Sequence, residues 1–122
     1  MKRAVIDTNV LISWYKHGLS LNDHDLSMIN PVFSVITQIE SVGYWKISSQ
    51  EKGFMEAILE TGTIIPLEGQ VLKYTIRLRQ QTKIKTPDAI IAATALAQDC
   101  ELWTANIDDF KQVEGLKIFN PL

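Results

Sequence analysis

The stretch Ala4-Val5-Ile6-Asp7-Thr8-Asn9 decides the fold of this chain. Its three apolar residues show no polar alternation, which predicts a strand covered on both faces, as in a parallel sheet between two layers of helices. The run then ends abruptly in a carboxylate, a hydroxyl and an amide. We therefore expect Asp7 at the carboxyl end of a central strand, where open α/β sheets bind ligands. A simpler alternative is that Asp7 is only the N-cap of the helix that begins near Asn9.

The composition predicts one globular domain spanning residues 1–122, with 46% hydrophobic and 21% charged residues. A formal net charge of -2 excludes nucleic-acid binding through overall positive charge, so any such contact must be local. The single cysteine, Cys100, cannot form an internal disulfide, and its apolar neighbours predict a small buried thiol. The longest nearly apolar run, residues 89–97, is too short to cross a membrane. These features predict a cytoplasmic protein with no membrane association.

Strands alternate with helices along the rest of the chain. Further strands are predicted at residues 32–36, 63–65, 102–104 and 116–119, and helices at residues 10–15, 25–29, 37–47, 50–61, 68–82 and 89–98, with a polar turn or short helix at residues 106–111. Thr86-Pro87 predicts the start of the last long helix, with a hydroxyl cap followed by proline. The alternation predicts a five-stranded parallel sheet with right-handed crossovers, sandwiched between helices.

Four acidic positions share one setting, at or just before the start of a helix or turn: Asp7, Glu40, Asp88 and the pair Asp108/Asp109. Each has a local explanation; Glu40, for example, would complete a Thr37-x-x-Glu40 capping box. However, three of the four follow strands of one parallel sheet, whose carboxyl ends meet at one edge. Asp88 would join them by opening the buried helix at residues 89–98. We therefore expect an acidic cluster at that edge.

Clustered carboxylates raise one another's pKa and destabilise a fold unless a cation lies between them. His17 and His24 are not at zinc-motif spacing, so both are predicted to be ordinary solvated histidines. A site of carboxylates alone predicts a hard cation, Mg²⁺ or Mn²⁺. Such a site suits phosphodiester hydrolysis, because the metal activates a bound water and neutralises charge on the phosphate.

Four motifs of this chain resemble those of the PIN-domain family. They occur in that family's order and cover nearly the whole chain. They are Val5-Ile6-Asp7-Thr8-Asn9, Ser34-Val35-Ile36-Thr37-x-x-Glu40, Thr86-Pro87-Asp88-Ala89-Ile90-Ile91-Ala92-Ala93-Thr94-Ala95 and Thr104-x-Asn106-x-x-Asp109-Phe110. In its size, the chain is most similar to the VapC-type toxins of bacterial toxin-antitoxin pairs, which are Mg²⁺-dependent ribonucleases. The resemblance therefore implies a homodimer and a cognate antitoxin protein that occludes the site.

The resemblance also implies roles for individual residues. Asp7 and Asp88 would be metal ligands, and Glu40 and Asp109 would have supporting acid or water-activating roles. The sequence does not decide whether Asp109, Asp108 or Asn106 completes the site. The polar residues within the motifs are predicted to contact the substrate: Thr8, Asn9, Thr104 and Asn106.

One basic block stands near the predicted site, with no acidic residue between Gln70 and Pro87: Lys73, Arg77, Arg79, Lys83 and Lys85. It could guide an RNA backbone towards Asp88, with Lys83 and Lys85 closest to it. The alternative is an ordinary solvated helix face. The three tryptophans lie in apolar patterns and are predicted to be core residues rather than base-stacking platforms: Trp14, Trp45 and Trp103.

We therefore predict a Mg²⁺-dependent endoribonuclease that cleaves single-stranded RNA. A catalytically inactive PIN-like module that binds RNA or protein is the alternative, although intact Asp7, Glu40 and Asp88 argue against it. A phospho-acceptor signalling domain needs an Asp after a mid-chain strand, and Ile64-Ile65-Pro66 does not supply one.

Overall fold

The computed structural model of the chain describes residues 1–18 and 28–122. The strands are β1 (Lys2–Ile6), β2 (Ile29–Ser34), β3 (Thr63–Ile65), β4 (Glu101–Trp103) and β5 (Ile118–Phe119). The helices are α1 (Thr8–His17), α2 (Val35–Val42), α3 (Ser49–Leu59), α4 (Gly69–Gln81), α5 (Thr86–Gln98) and α6 (Ile107–Phe110). His24 and most of the helix predicted at residues 25–29 lie outside the described residues, and Ile29 begins β2 instead.

The five strands form one parallel sheet in the order β3-β2-β1-β4-β5, which confirms the predicted architecture. Val5 of β1 is in register with Val32 of β2 on one side and with Leu102 of β4 on the other. From β1 the chain adds β2 and then β3 on one side of the sheet, and it then returns to place β4 on the other side of β1. The carboxyl ends of β1 and β4 therefore flank the point where the strand order reverses, which is where open α/β sheets bind ligands.

Helices cover both faces of the sheet, as the apolar run in β1 predicts. Ala4 and Ile6 belong to one core cluster, together with Leu11 of α1 and Met55 of α3. Val5, whose side chain points to the opposite face, belongs to a second cluster with residues of α4, α5 and α6. All three β1 residues are fully buried, so β1 is the central strand of a three-layer domain.

Helix α5 is the buried helix that the sequence predicts, with seven consecutive buried residues from Ala89 to Ala95. It begins one residue earlier than expected, because Lys85 is the N-cap and Thr86 is already helical, without a side-chain capping bond. Pro87 lies in the first turn, where the missing N–H is no loss. Asp88 is therefore carried on the first turn of a rigid, packed helix.

The region around α2 differs from its prediction. The expected strand at residues 32–36 ends at Ser34, whose hydroxyl accepts a hydrogen bond from the N–H of Ile36 at 3.1 Å and caps α2. Helix α2 then stops before Gly43, so it does not reach residue 47. Trp45 follows this stop and is 84% exposed, whereas Trp14 and Trp103 are core residues as predicted.

No helix in the described part of the chain is long and apolar enough to cross a membrane. Cys100 is partly buried rather than fully buried, and burial raises the pKa of its thiol.

Candidate active site

Asp7 is held firmly at the carboxyl end of β1. Its backbone N–H donates to the carbonyl of Trp103 at 2.9 Å, which ties the end of β1 to β4. Its Oδ1 accepts from the N–H of Thr8 at 2.8 Å, and Asp7 is therefore also the N-cap of α1. Its Oδ2 accepts from Nδ2 of Asn9 and from the hydroxyl of Thr104, both at 2.8 Å. The capping alternative is thus correct locally, but it accounts for one of three hydrogen bonds to the carboxylate.

Asn9 and Thr104 orient the carboxylate of Asp7 through hydrogen bonds to it and to each other. The Thr104 hydroxyl donates to Asp7 and accepts from the N–H of Asn106 at 3.0 Å and from Asn9 Nδ2 at 3.3 Å. Oδ1 of Asn9 accepts from the N–H of Ala105 at 3.0 Å, which ties α1 to the loop after β4. Thr104 is 0% exposed, so its geometry favours a positioning role over the predicted contact with substrate.

The pKa of Asp7 is raised, and burial is the main cause, since the residue is only 5% exposed. Hydrogen bonds from Thr104, Thr8 and Asn9 oppose this shift, and the charge of Glu40 adds to it. The net direction means that the site disfavours an isolated negative charge on Asp7. A cation in the cleft would reverse that preference.

Glu40 lies on α2, and its carboxylate is hydrogen-bonded to Thr8, the residue after Asp7. The Thr8 hydroxyl donates to Oε1 of Glu40 at 2.7 Å, so Thr8 bonds Asp7 through its backbone and Glu40 through its side chain. The predicted Thr37-x-x-Glu40 capping box is wrong, because Ser34 caps α2 and both residues lie inside the helix. Glu40 is exposed, which leaves its carboxylate open to solvent and ligands.

Asp88 joins this group from the first turn of α5. Its pKa is raised by partial burial and then by repulsion from Asp7, Asp109 and Glu40, whereas Lys85 acts in the opposite direction. Asp7, Asp109 and Glu40 are therefore each within electrostatic reach of Asp88. Each of the four acids comes from a different connection between successive strands, with Asp109 on α6 between β4 and β5.

Asp7, Glu40 and Asp88 line one cleft of about 330 Å³, completed by Thr8, Asn9, Ile12 and Asn106. The sequence motifs did not single out Ile12. Its spacing of four residues from Thr8 places it on the same face of α1, which is the signal that could have found it. Ile12 gives the cleft one apolar wall beside its carboxylates.

The structure separates the three candidates for the last position of the site. Asn106 lines the cleft itself. Asp109 lies next to it and acts on the pKa of Asp88. Asp108 is exposed and forms an ion pair with Lys111 at 3.2 Å. Asp108 is therefore the weakest of the three candidates.

The donor set of the cleft fits a hard divalent cation. Its ligand atoms are carboxylate, amide and hydroxyl oxygens, without His or Cys. Among residues 1–18 and 28–122, no three Asp, Glu, His or Cys side chains lie close enough together to hold an ion on their own. Mg²⁺ does not require such a set, because it keeps several waters and binds proteins through one or two carboxylates.

The basic block lies on α4 and on the loop that leads into α5. Lys73, Arg77 and Lys83 are exposed, and Arg77 lies over the ring of Tyr74 at 5.5 Å. Lys85, the N-cap of α5, is near enough to Asp88 to lower its pKa. The end of the basic block therefore lies near Asp88, at the side of the cleft that α5 forms.

Fold and site together define the class of this protein: a parallel α/β domain with an acidic cleft, suited to a divalent cation, at the switch point of its sheet. The sequence model of the PIN domain matches residues 4–116. The chain belongs to the PIN-domain family, which confirms the resemblance carried by its four motifs.

Relatives of known name cover nearly the whole chain. Ribonuclease VapC1 of Rickettsia felis is 27% identical, and Ribonuclease VapC of Rickettsia bellii is 25% identical, each over 93% of this chain and 92% of the relative. In a toxin-antitoxin complex from Klebsiella pneumoniae, one chain is 31% identical with a TM-score of 0.76 over 98% of both chains. A chain of VapBC2 from Rickettsia felis, bound to a DNA fragment from its promoter, has a TM-score of 0.83 at 22% identity, over 97% of this chain and 98% of that one. The last likeness concerns the fold alone.

Proposed function

We propose that this protein is a metal-dependent endoribonuclease that hydrolyses phosphodiester bonds in single-stranded RNA. The observation that carries the proposal is the shared cleft of Asp7, Glu40 and Asp88. In the described part of the chain, no Lys or Arg forms an ion pair with any of them. Carboxylates that repel one another and form no ion pair within the protein are suited to bind an external cation. The names of the relatives, Ribonuclease VapC1 and Ribonuclease VapC, support the choice of RNA.

Asp7 and Asp88 would hold the ion, which we propose to be Mg²⁺, with Mn²⁺ as a possible substitute. Both residues line the cleft, and the strand and helix that carry them are buried in the core. When bound, the ion would lower the pKa of a water and neutralise charge on the phosphate oxygens.

The other residues have separate tasks in this proposal. Glu40 is open to solvent and held by Thr8, so it can accept a proton from an attacking water. Asp109 supports the site electrostatically through Asp88. Asn9 and Thr104 keep the carboxylate of Asp7 in place through their hydrogen bonds.

We assign the substrate path to the surface between the basic block and the cleft. Lys83 and Lys85 would contact phosphates on the way to Asp88. Within the cleft, Thr8, Asn9 and Asn106 remain candidates for contact with the RNA near the scissile bond, because all three line it.

We further propose that the protein is the toxin of a toxin-antitoxin pair, forms a homodimer and binds a cognate antitoxin. Support for the antitoxin comes from the Klebsiella pneumoniae complex, which is described as toxin-antitoxin and contains a chain 31% identical to this one. The homodimer is what the resemblance to VapC-type toxins implies. Co-expression with a candidate antitoxin, followed by size measurement of the complex, tests the antitoxin, and the molar mass of the protein alone in solution tests the homodimer.

The activity is tested with purified protein and a labelled single-stranded RNA. Cleavage should require Mg²⁺, stop in EDTA and be lost in Asp7→Asn. Asp99→Asn is the matched control: Asp99 follows α5 with a φ of 51°, a conformation that Asn adopts readily, and it is not among the cleft residues. Cleavage that persists in EDTA, or in a correctly folded Asp7→Asn protein, would refute the proposal.

A further inference from the structure

The loop between α4 and α5, residues 82–85, is fixed through one residue, Ile84. Its side chain is 2% exposed and belongs to the core cluster beneath α4 and α5. Its N–H donates to the hydroxyl of Thr82 at 3.2 Å, and its carbonyl accepts from the guanidinium of Arg79. The Thr82 hydroxyl in turn donates to the carbonyl of Leu78 at 3.0 Å, in the last turn of α4. Three separate interactions therefore hold Ile84 in place.

The two lysines of the predicted RNA path flank this fixed residue. Because Ile84 turns its side chain into the core, Lys83 and Lys85 on either side of it remain at the surface. Lys85 has an extended backbone, with φ -70° and ψ 150°, and its charge reaches Asp88. The position of both ammonium groups relative to the cleft therefore depends on how firmly Ile84 is held.

We infer that Arg79 is a positioning residue, which aims Lys83 and Lys85 at an RNA backbone and does not itself bind phosphate. Its guanidinium is bonded to the Ile84 carbonyl, whereas Arg77, one half-turn away, lies over an aromatic ring and makes no bond to the loop. A loop fixed in advance loses less conformational entropy when its lysines bind, so fixing it strengthens binding. This inference rests on the proposed function and narrows it, because it removes Arg79 from the phosphate contacts of the basic block.

The experiment measures RNA affinity in the Asp7→Asn background, where the RNA should stay intact. Each phosphate contact to a single strand contributes about 0.7 to the salt slope, which is roughly fivefold in Kd at about 0.1 M salt. Replacing Lys83 and Lys85 together with Ala should raise Kd up to about 25-fold, uniformly across RNA sequences, and flatten the slope by up to about 1.4. In the protein with Asp7 intact, the double lysine change should hardly alter the metal affinity.

Arg79→Met keeps the side-chain stem and removes the donor. It should raise Kd about three- to fivefold when both lysines are present and not at all when both are Ala, because it acts through them. Arg79→Lys keeps a donor and should restore most of the affinity. Arg77→Met is the matched control: it removes the same charge from the same helix, and its effect should be equal in both backgrounds. In the cleavage-competent protein, Arg79→Met should raise KM and leave kcat unchanged.

Equal losses from Arg79→Met in both lysine backgrounds would show a direct phosphate contact and overturn the inference. A lower melting temperature without any change in Kd would show a purely structural role and overturn it as well. A parent protein that binds no RNA would refute the proposed function and this inference with it, whereas the first two results refute this inference alone.

Discussion

The variant Asp88→Asn tests whether Asp88 is a metal ligand or only stabilises the N-terminus of α5. The two roles predict opposite changes in the free energy of unfolding. If Asp88 only favours the N-terminus of α5, the loss of its charge should lower the free energy of unfolding by about 0.3 to 1 kcal/mol, with or without metal. In the structure, however, burial and the charges of Asp7, Asp109 and Glu40 raise its pKa. Removing this charge should therefore leave the metal-free protein as stable as the parent, or more stable.

Magnesium should then reverse the order of the two proteins. A ligand at about a hundred times its Kd stabilises the folded state by about 2.7 kcal/mol. For a domain of this size, that corresponds to an increase in Tm of about 10 °C, at roughly 4 °C per kcal/mol. The parent should show this shift, and Asp88→Asn should show much less of it, because one of the two proposed ligands has lost its charge.

Thermal melts of both proteins in EDTA and in millimolar Mg²⁺ provide the measurement. Asp99→Asn makes the same chemical change at the other end of α5 and should keep the full magnesium shift. Equal magnesium shifts in the parent and Asp88→Asn, with the variant less stable in EDTA, would refute Asp88 as a metal ligand.

Three further predictions concern packing, the acidic pair and pH. Gly62→Ala should destabilise the protein by about 1 to 3 kcal/mol, because its Cβ would clash with the carbonyl oxygen of residue 31. Gly53→Ala, in open space on α3, should stabilise the protein by about 1 kcal/mol, and denaturant melts in which both changes have the same sign would contradict this prediction. Asp109→Asn should reduce RNA cleavage, while Asp108→Asn, which breaks only a surface ion pair, should not; the reverse order in a cleavage assay would exchange their roles. The pKa of Asp7 is raised above 3.8 in the folded protein, so protonated Asp7 contributes stability below that pH, and this contribution is lost as the pH rises through the folded-state pKa. Melts in EDTA should show this loss of stability. The magnesium shift in Tm should grow over the same pH range, since the ion needs the ionised carboxylate. A magnesium shift independent of pH between about 4 and 8 would contradict the last prediction.

The central elements were predictable because their sequence signals are local. Residues 4–6 are apolar without interruption, and such a run fits a strand covered on both faces. Thr86-Pro87 followed by small apolar residues located α5 to within one residue. Asp7 and Asn106, which follow β1 and β4, then converge by topology, because the carboxyl ends of a parallel sheet lie at one edge. Glu40 and Asp88 reach the same cleft from α2 and α5.

The start of α2 could not be predicted from local signals. Val35 and Ile36 are β-branched and extend the strand pattern equally well. The choice between strand and helix is made at Ser34, whose hydroxyl bonds the N–H of Ile36 and turns the chain two residues early. The exposure of Trp45 follows from the same region, because α2 ends before Gly43 and its apolar spacing does not continue.

The support of Asp7 was not predictable either, since it joins residues far apart in sequence. Thr104 lies 97 residues from Asp7, and its hydroxyl faces that carboxylate only because β1 and β4 are neighbours. The motif alone could not distinguish a threonine that contacts substrate from one that orients a carboxylate. The complete burial of Thr104 favours the second role.

The assembly of the cleft links its chemistry to the stability of the whole fold. Asp7 follows β1, Glu40 lies on α2 and Asp88 opens α5, so the three carboxylates meet only when the sheet and both helix layers are complete. Once they meet, burial and repulsion raise the pKa of Asp7 and of Asp88, which lowers the stability of the metal-free protein at neutral pH. The two core clusters must offset this loss. Neutral substitutions in the cleft should therefore stabilise the metal-free protein while removing its response to magnesium, which is the trade-off between stability and activity expected of an active site and not of a structural cap.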